Sequence, residues 1–398
     1  MGSTGRFLII GGGPAALAAA RAYRACGGDD EVCLISADNE APYARPPLSK
    51  EYLRGEAGDG DLPLEERAFY RDQEIHVSLD DAVVGWDTSA KVVATASGRT
   101  LEYGRCLFAA GAEPRRPKVP GADHPDVRTL RSAQSAREIR SVAERTRNAV
   151  IVGAGFIGCE AAASISRLGT QVTLICPGPV PQHRRLGTEA GAEILRWLKS
   201  EGVSVLRATK LLGVEDGYRV RTDLVPLLDT DLVLLATGVK PRVSLAERAG
   251  LEIEQGRVVA DEKLATSADG VYAAGDVAFA LNATAGRRLP VEHWGEAETM
   301  GEIAGANAAG EKRVWRNAPG FWSVIGDRVL KYAAWGDGFT DATMVRHDTA
   351  PGAFTVWYGD SGRTVGVLTH QADDDYENGS ELVERGAPVP AVPVGTRR

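Results

Sequence analysis

The sequence predicts an α/β fold with two doubly wound domains and a smaller C-terminal α+β domain. Two stretches, residues 7–36 and 149–176, share one pattern. Each starts with an apolar strand, at 7–10 and 149–152, and continues through a glycine turn, an Ala-rich helix and a second apolar strand. This order is the first βαβ unit of a doubly wound parallel sheet, so the chain carries that unit twice.

Further apolar runs complete each predicted sheet. The second strands of the two units lie at 31–36 and 171–176. Shorter runs at 105–110 and 230–236 each end in a small turn, which indicates one closing strand per domain. One more strand, 270–274, runs into a Gly-Asp turn.

The two glycine turns predict two nucleotide sites. In a G-x-G-x-x-G turn the first glycine permits the turn, the second admits a pyrophosphate, and the third lets helix and strand pack closely. The pyrophosphate then meets free N–H groups at the positive end of the helix dipole. The turn positions are Gly11, Gly13 and Ala16 in the first copy and Gly153, Gly155 and Gly158 in the second. Neighbouring candidates are Pro14, Ala15, Phe156, Ile157 and the strand-end residues Ala110, Gly111, Gly238 and Gly275.

A flavin and a nicotinamide are the economical pair of nucleotides, because hydride passes directly between them. The fold class is therefore two Rossmann-like domains, one for FAD and one for NAD(P), plus the C-terminal domain. We expect one nucleotide domain at 1–115 and 243–313, the other at 116–242, and a smaller domain at 314–398. The Pro-rich tail, 385–398, is expected to be a loose terminus.

In each βαβ unit, the residue that follows the second strand is the expected binding partner of the nucleotide's ribose. In the first copy Asp38 is favoured over Glu40 as the acid that binds a ribose hydroxyl. In the second copy the strand ends at Cys176 without an acid, and residues 183–185 (His-Arg-Arg) follow. Arg184 suits the 2′-phosphate of NADP, although a surface charge at a helix start is the alternative. We expect NAD(P)H, with NADH slightly favoured over NADPH.

Composition and charge exclude several classes of protein. The net charge of −8 disfavours a nucleic-acid partner, and no apolar run approaches the ~18 residues of a membrane span. The N-terminus shows no secretory signal, so a cytoplasmic protein is expected. The cysteine spacings fit no metal site and indicate buried or half-buried thiols, at Cys26, Cys33, Cys106, Cys159 and Cys176.

Five segments in order along the chain resemble one known family. Residues 42–53 (PYARPPLSKEYL) closely resemble the PYxRPPLSKxYL signature of ferredoxin reductases that serve bacterial oxygenases and cytochromes P450. Residues 153–160 (GAGFIGCE), 270–278 (GVYAAGDVA), 291–301 and 321–323 (FWS) are similar to further segments of it. The family that these segments resemble is the putidaredoxin-reductase type within the pyridine nucleotide-disulfide oxidoreductase superfamily.

The resemblance implies an NAD(P)H:ferredoxin reductase with an FAD domain at 1–115 and 243–313, an NAD(P) domain at 116–242 and an interface domain at 314–398. It also assigns roles to several residues. Arg45 resembles the arginine that pairs with the FAD phosphates. Lys50, beside the flavin, and Glu160, near Lys50 and the nicotinamide, are implied as catalytic residues, with exposed helix charges as the alternative. Asp276 resembles the aspartate that binds the ribityl chain of FAD, and Val277 follows it near the flavin.

The resemblance also implies the acceptor side. His293 and Trp294 are expected close to the flavin, and Trp322 at the edge where a ferredoxin-type acceptor docks, with core packing as the rival for either tryptophan. Four basic residues are candidate contacts for an acidic acceptor or else ordinary solvated charges, namely Arg313, Arg316, Arg328 and Lys331. A monomer or homodimer is expected.

Three rival functions stay open at this point. A disulfide or peroxide reductase needs a reactive cysteine near the flavin, but residues 48–50 read Leu-Ser-Lys. A signalling flavoprotein resembling apoptosis-inducing factor would carry the same nucleotide motifs. A direct small-molecule NADH oxidase or reductase would do so as well. The sequence does not identify the acceptor protein.

Overall fold

The computed structural model describes residues 5–391, which form two compact units. Each unit is built from separate stretches of the chain. The first unit contains residues 5–44, Leu62–Glu113 and Pro241–Phe321, and the second contains Arg45–Asp61, Pro114–Lys240 and residues 322–391. None of the helices in residues 5–391 has the length and apolar character needed to cross a membrane.

The helices are α1 (Pro14–Ala25), α2 (Glu51–Arg54), α3 (Arg67–Asp72), α4 (Ala133–Ala143), α5 (Phe156–Arg167), α6 (His183–Ser200), α7 (Ser244–Arg248), α8 (Trp294–Ala308) and α9 (Asp373–Arg385). The strands are β1 (Arg6–Ile10), β2 (Glu31–Ile35), β3 (Ile75–Ser78), β4 (Val83–Asp87), β5 (Val92–Thr95), β6 (Thr100–Glu102), β7 (Arg105–Phe108), β8 (Ala112–Pro114), β9 (Val127–Thr129), β10 (Asn148–Val152), β11 (Gln171–Cys176), β12 (Ser204–Arg207), β13 (Leu211–Glu215), β14 (Arg219–Thr222), β15 (Leu228–Asp229), β16 (Leu232–Leu235), β17 (Val239–Pro241), β18 (Ile253–Glu254), β19 (Arg257–Ala260), β20 (Val271–Ala273), β21 (Ala278–Asn282), β22 (Arg287–Pro290), β23 (Gly320–Ile325), β24 (Arg328–Ala334), β25 (Asp341–Arg346), β26 (Phe354–Asp360) and β27 (Arg363–His370).

The first unit is organised by a parallel sheet in the order β20-β7-β1-β2-β3. Phe7, Leu8 and Ile9 of β1 are fully buried, as expected for a central strand covered on both faces. The strands predicted at 31–36, 105–110 and 270–274 are confirmed as β2, β7 and β20, each slightly shorter than predicted. The unit also holds a four-stranded sheet, β18-β19-β21-β22, and a three-stranded sheet, β4-β5-β6.

Helices α1 and α8 of the first unit pack at very short range. A Cβ added at Gly301 would lie 2.8 Å from the Cα of Ala15, and one at Gly305 would lie 2.7 Å from the Cα of Ala19. Both distances are shorter than real Cβ contacts, so any larger residue at either glycine would push the helices apart. Small residues on both helices therefore fix α8 against the first helix of the chain.

The second unit contains the other parallel sheet, in the order β12-β11-β10-β16-β9. Its strands β10, β11 and β16 confirm the runs predicted at 149–152, 171–176 and 230–236. The order places β10 in the centre, with β11 on one side and β16 on the other. This is the doubly wound arrangement that the repeated pattern predicts. A small antiparallel sheet, β13-β14-β15, lies between β12 and β16 in the chain.

The C-terminal stretch forms a five-stranded sheet in the order β23-β24-β27-β26-β25, with α9 against β27. This confirms the α+β character predicted for it. The prediction of a loose tail is wrong for residues 387–389. The carbonyl of Ala387 accepts a hydrogen bond from Thr364 N at 2.7 Å, and Pro388 forms a β-bridge with Arg363. Backbone hydrogen bonding thus anchors this part, and residues 392–398 lie outside the described range.

Candidate functional site

The first glycine turn joins β1 to α1 and leaves an open place at Gly13. Gly11 has φ +135°, and a Cβ there would lie 2.7 Å from the carbonyl carbon of Ala109, so the fold itself requires glycine. Gly13 is the N-cap of α1 with ordinary φ −93°, and a Cβ there would meet nothing within 4 Å in residues 5–391 beyond its chain neighbours. The fold tolerates a side chain at Gly13. The space is therefore available to a group that approaches from outside.

The N-terminus of α1 fits a phosphate group. In the described part of the chain, no side chain caps this helix, and Pro14 occupies its first turn. The first N–H groups of a helix lack internal partners and lie at the positive end of its dipole. Ala15 and Ala16 are buried and small, which keeps the turn compact. These features match the cradle that a dinucleotide pyrophosphate needs.

Asp38 lies just past the end of β2, next to β1 in the sheet. It is half-buried, and its Oδ2 accepts a hydrogen bond from the Tyr43 hydroxyl at 2.9 Å. Its backbone N–H donates to Ser36 Oγ at 3.0 Å, which fixes the loop. An acid held at the carboxyl end of this strand is suitably placed for a ribose hydroxyl. Glu40, the alternative, is also half-buried.

Two further turns lie at the same edge of the first sheet. Ala110 and Gly111 follow β7, while Gly275, Asp276 and Val277 form a short 3₁₀ turn after β20, the neighbour of β7. Asp276 is only 7% exposed. Because the carboxyl ends of parallel strands meet at one edge, these residues share it with the first glycine turn.

His293 and Trp294 begin α8. His293 is its N-cap, and the imidazole lies 4.5 Å from the ring of Phe321, centroid to centroid. Trp294 is half-buried as the first helical residue. Both residues are only half-buried, so both stay candidates for contact with a ligand.

Glu296 is a buried acid that the sequence interpretation missed. Its Oε2 accepts a hydrogen bond from Trp315 Nε1 at 3.0 Å, and its Oε1 accepts one from Gly320 N at 3.4 Å. Burial raises the pKa of Glu296 to about 7, and the two hydrogen bonds oppose that rise. A glutamate in the small-residue stretch at 294–308 was the one available signal, and it was not used.

The second glycine turn, in the second unit, repeats the geometry of the first. Gly153 has φ +109°, and a Cβ there would lie 2.9 Å from the carbonyl carbon of Ala236. A Cβ at Gly158 would overlap the carbonyl of Gly153, so helix and turn pack without space for a side chain. Gly155, the N-cap of α5, has φ −74°, and no described atom outside its chain neighbours lies within 4 Å of its added Cβ. Here again the second glycine leaves space for an external group.

Other predicted residues surround this second turn. Ile157 is 46% exposed although it is apolar, and Phe156 is half-buried with the Arg185 guanidinium 5.9 Å from its ring centroid. Gly238 lies beyond the end of β16, the neighbour of β10, with φ +93°. An exposed isoleucine at a helix N-terminus is an apolar surface that a planar ring can cover.

The loop after β11 is firmly held and carries no acid. Thr209 N donates to the carbonyl of Cys176 at 3.0 Å, and Ala208 N donates to that of Gly178 at 2.9 Å. Arg207 ends β12 as the register partner of Cys176. Arg184 is exposed in the first turn of α6. Arg207 therefore lies beside the end of β11, where a ribose-binding acid would stand, and Arg184 lies at the start of the helix that follows the loop.

Lys50 and Glu160 form a buried ion pair in the second unit. Lys50 Nζ lies 2.8 Å from Glu160 Oε2, and the two residues are 6% and 3% exposed. Lys50 also donates to the carbonyl of Pro46 at 2.9 Å. Glu160 belongs to α5, within two turns of Gly155. The alternative of exposed helix charges is wrong for both residues.

Further donors hold the Glu160 carboxylate. Ser49 Oγ donates to Oε2 at 2.6 Å, while Ser323 Oγ and Val324 N donate to Oε1 at 2.7 and 3.3 Å. Ser164 Oγ donates to the carbonyl of Ser49 at 2.8 Å, which ties that serine to α5. The sequence interpretation placed Lys50 beside Glu160 but missed both hydroxyl donors. The S of PPLSK and the S of FWS were the available signals.

Trp322 and the basic residues have different surroundings. Trp322 is 48% exposed in β23, so core packing is wrong for this tryptophan. Arg328 pairs with Glu201 at 3.0 Å and Lys331 with Asp373 at 2.8 Å, so part of their charge is neutralised within the chain. Arg313 and Arg316 are exposed, and Arg45 is half-buried immediately before the 3₁₀ turn at Pro46–Ser49.

The four buried thiols do not fit the reactive centre of a disulfide reductase. All five cysteines lie in the described range, none is in a disulfide, and four of them are buried. Burial raises the pKa of Cys33 to about 11 and also raises the pKa values of Cys106, Cys159 and Cys176. A thiol with a raised pKa is a poor nucleophile at neutral pH. Residues 5–391 also contain no group of three His, Cys, Asp or Glu side chains that could hold a metal ion.

Comparison with known proteins agrees with this geometry. The model of one family, described as pyridine nucleotide-disulphide oxidoreductase, matches residues 5–308. The chain belongs to that family. Among solved structures, the chain is similar to a putidaredoxin reductase in a covalent complex with putidaredoxin, with a TM-score of 0.91. The alignment covers 97% of this oxidoreductase and 94% of that chain at 26% identity.

Two curated relatives differ in identity and in how much of their own length is matched. A ferredoxin–NAD(P)(+) reductase of a Sphingomonas species is 33% identical over 391 residues, with 96% of this chain and 93% of that protein covered. Apoptosis-inducing factor 3 of Mus musculus is 28% identical over 393 residues and is covered over only 64% of its length. Both alignments cover nearly all of this chain, 96% with the reductase and 97% with apoptosis-inducing factor 3, but only the reductase is also covered over nearly all of its own length.

Proposed function

We propose that this oxidoreductase is an FAD-dependent NAD(P)H:ferredoxin reductase. The observation that carries the proposal is the buried Lys50–Glu160 pair, which lies within two turns of the open helix N-terminus at Gly155. A nucleotide bound at that terminus comes close to a fixed lysine and a fixed carboxylate. The full-length similarity to ferredoxin reductases supports the same function.

FAD, when bound, accepts a hydride from the nicotinamide and releases its two electrons one at a time. We assign its pyrophosphate to the first glycine turn, because Gly13 leaves the space and α1 supplies the N–H groups. Asp38 is assigned to its ribose, and Arg45 to its phosphates as a bidentate guanidinium. The remaining contacts with FAD are assigned to Ala110, Gly111, Gly275, Asp276, Val277, His293 and Trp294.

In this proposal the second unit binds the nicotinamide nucleotide. Gly153, Gly155 and Gly158 form its pyrophosphate turn, and Phe156, Ile157 and Gly238 offer surfaces close to it. Lys50 keeps a positive charge in a buried site, where it stabilises negative charge on a ligand more strongly than it would in water. Glu160 orients the ammonium and offsets its desolvation.

Arg184 and Arg207 support a donor site that accepts both NADH and NADPH. Without an acid after β11, the site lacks the carboxylate that selects the 2′-hydroxyl of NAD. The two arginines can instead receive a 2′-phosphate through charge-assisted hydrogen bonds. NADH is slightly favoured, as the sequence indicates.

We further propose that a 2Fe–2S ferredoxin or a similar carrier accepts the electrons at the face bearing Trp322. A large exposed aromatic ring buries much area with little loss of side-chain entropy, which suits a docking surface. The acceptor feeds an oxygenase or a cytochrome P450, and the reductase acts as a monomer or homodimer. The proposed functional domains are those expected from the sequence, with FAD at 1–115 and 243–313, NAD(P) at 116–242, and the acceptor interface at 314–398.

The test is reduction of cytochrome c by the purified flavin-loaded protein, with NADH or NADPH, with and without an added 2Fe–2S ferredoxin. A manyfold increase in rate on adding ferredoxin is expected. No increase with several ferredoxins, while either donor still bleaches the flavin, would contradict the acceptor. It would favour a signalling flavoprotein or a direct small-molecule reductase.

A further inference from the structure

Both oxygens of Glu160 are held, and each is held by a serine hydroxyl from a different segment of the chain. Ser49 Oγ and Lys50 Nζ bind Oε2, at 2.6 and 2.8 Å. Ser323 Oγ binds Oε1 at 2.7 Å, assisted by Val324 N at 3.3 Å. A carboxylate has about four acceptor sites, so this set of donors leaves Glu160 with little unused capacity.

The two serine hydroxyls restrict the orientation of the Glu160 carboxylate more than Lys50 alone can. A single ammonium on Oε2 leaves the carboxylate free to rotate about its last torsion, which is a broad and weakly restrained one. Hydroxyls on opposite oxygens remove that freedom. Glu160 and Ser323 are 3% and 1% exposed, so bulk water has little access to replace a lost donor.

The serines are themselves fixed by the structure around them. The carbonyl of Ser49 accepts the Ser164 hydroxyl at 2.8 Å, which ties the 3₁₀ turn of Ser49 to the same helix that carries Glu160. Ser323 points inward from β23, one residue after the exposed Trp322. The position of Glu160 therefore depends on the C-terminal sheet as well as on α5.

We propose that Ser323 and Ser49 are positioning residues that hold Glu160 in one orientation and thereby set the geometry of the Lys50–Glu160 pair for hydride transfer. This inference rests on the proposed function of that pair. Reaction rates depend steeply on geometry, and a displacement of about 1 Å can cost about a hundredfold. The serines act through Glu160 and need no contact with the nucleotide.

The experiment is rapid-mixing reduction of the bound flavin by NADH and NADPH over a range of donor concentrations. Ser323→Ala and Ser49→Ala are each expected to lower the limiting rate about tenfold, and the double variant about a hundredfold. The apparent Kd of the donor should change less than about threefold, because ground-state binding is not what the serines improve. Ser323→Thr, which keeps the hydroxyl, should restore most of the rate.

Thr369→Val is the matched control. Thr369 is a buried hydroxyl in β27 of the same C-terminal sheet, and its Oγ1 has no hydrogen-bond partner among the described residues. The flavin bound to the Thr369→Val variant should be reduced by the donor at the wild-type rate. Wild-type limiting rates in Ser49→Ala and Ser323→Ala, or a change in donor Kd without a change in rate, would overturn the inference. A wild-type protein whose flavin neither donor reduces would instead contradict the proposed function itself.

Discussion

Glu296→Gln tests whether a buried acid in the first unit makes the stability of the protein depend on pH. The carboxyl is 8% exposed and has two hydrogen-bond donors, Trp315 Nε1 and Gly320 N. Burial raises the pKa of Glu296 from its usual 4.5 to about 7 in the folded protein. Glutamine has nearly the same shape but cannot ionise, so the substitution removes the titration, and its single acceptor oxygen keeps only one of the two hydrogen bonds.

The sign of the effect follows from proton linkage. Between about pH 4.5 and 7 the folded state holds a proton on Glu296 that the unfolded state has lost, so the free energy of unfolding falls as the pH rises. The stabilising contribution is complete below pH 4.5 and is lost above about pH 7. Each pH unit between the two pKa values is worth about 1.4 kcal/mol, so the total is at most about 3 kcal/mol.

The assay is urea unfolding of wild type and Glu296→Gln at about pH 5 and pH 8, with matched flavin loading. Stability of the glutamine variant relative to wild type should rise by roughly 2–3 kcal/mol between the two pH values. Any loss of the Gly320 hydrogen bond adds a constant offset and cancels in this comparison. Glu302→Gln, at an exposed position of the same helix, should show no such change. A relative stability of Glu296→Gln that is the same at both pH values would refute the reasoning.

Three further outcomes are expected. Gly13→Ala should fold normally but lose FAD, and Gly155→Ala should raise the KM for the donor about tenfold with an unchanged Tm. The reason is that each added methyl group enters space that only a ligand uses. Full flavin content in the first variant and a wild-type KM in the second would contradict this. Lys50→Ala and Glu160→Ala should each slow flavin reduction about 10–100-fold while FAD stays bound. Each should also destabilise the protein by about 3–5 kcal/mol, because one buried charge loses its partner. Unchanged reduction rates in both variants would contradict the roles assigned to Lys50 and Glu160. Arg184→Ala should raise the KM for NADPH about tenfold and that for NADH less than about twofold, measured by steady-state kinetics, whereas equal losses would show that the arginine does not contact the 2′-phosphate.

The parts of the fold that the sequence predicts are those set by local pattern. The two glycine turns, the central strands and the C-terminal α+β character depend on periodicity and on glycines over short stretches, and the structure confirms them. Within the predicted loose tail, residues 387–389 were misjudged because their position depends on backbone hydrogen bonds to Gly362 and Thr364 in and beside β27. Composition does not record such a distant pairing.

The candidate site shows the same limit. Lys50 and Glu160 could be brought together only by resemblance, because 110 residues separate them. Ser323 is 163 residues from Glu160, and a lone serine in a strand carries no periodic signal. Glu296 was missed because its burial depends on Trp315, which the sequence interpretation had assigned to a different domain. Side chains that meet across long separations are set by tertiary packing and not by propensity.

The discontinuous first unit has a consequence for how the protein is made on the ribosome. Strand β7 pairs with β20, and α1 packs on α8, so early elements find these neighbours only in late parts of the chain. At about 5–20 residues per second, translation from Phe108 to Val271 takes on the order of 10–30 s. During that time the small-residue face of α1 has emerged without α8, the helix that packs against it. We expect the nascent first unit to depend on chaperones until Trp294–Ala308 has left the exit tunnel.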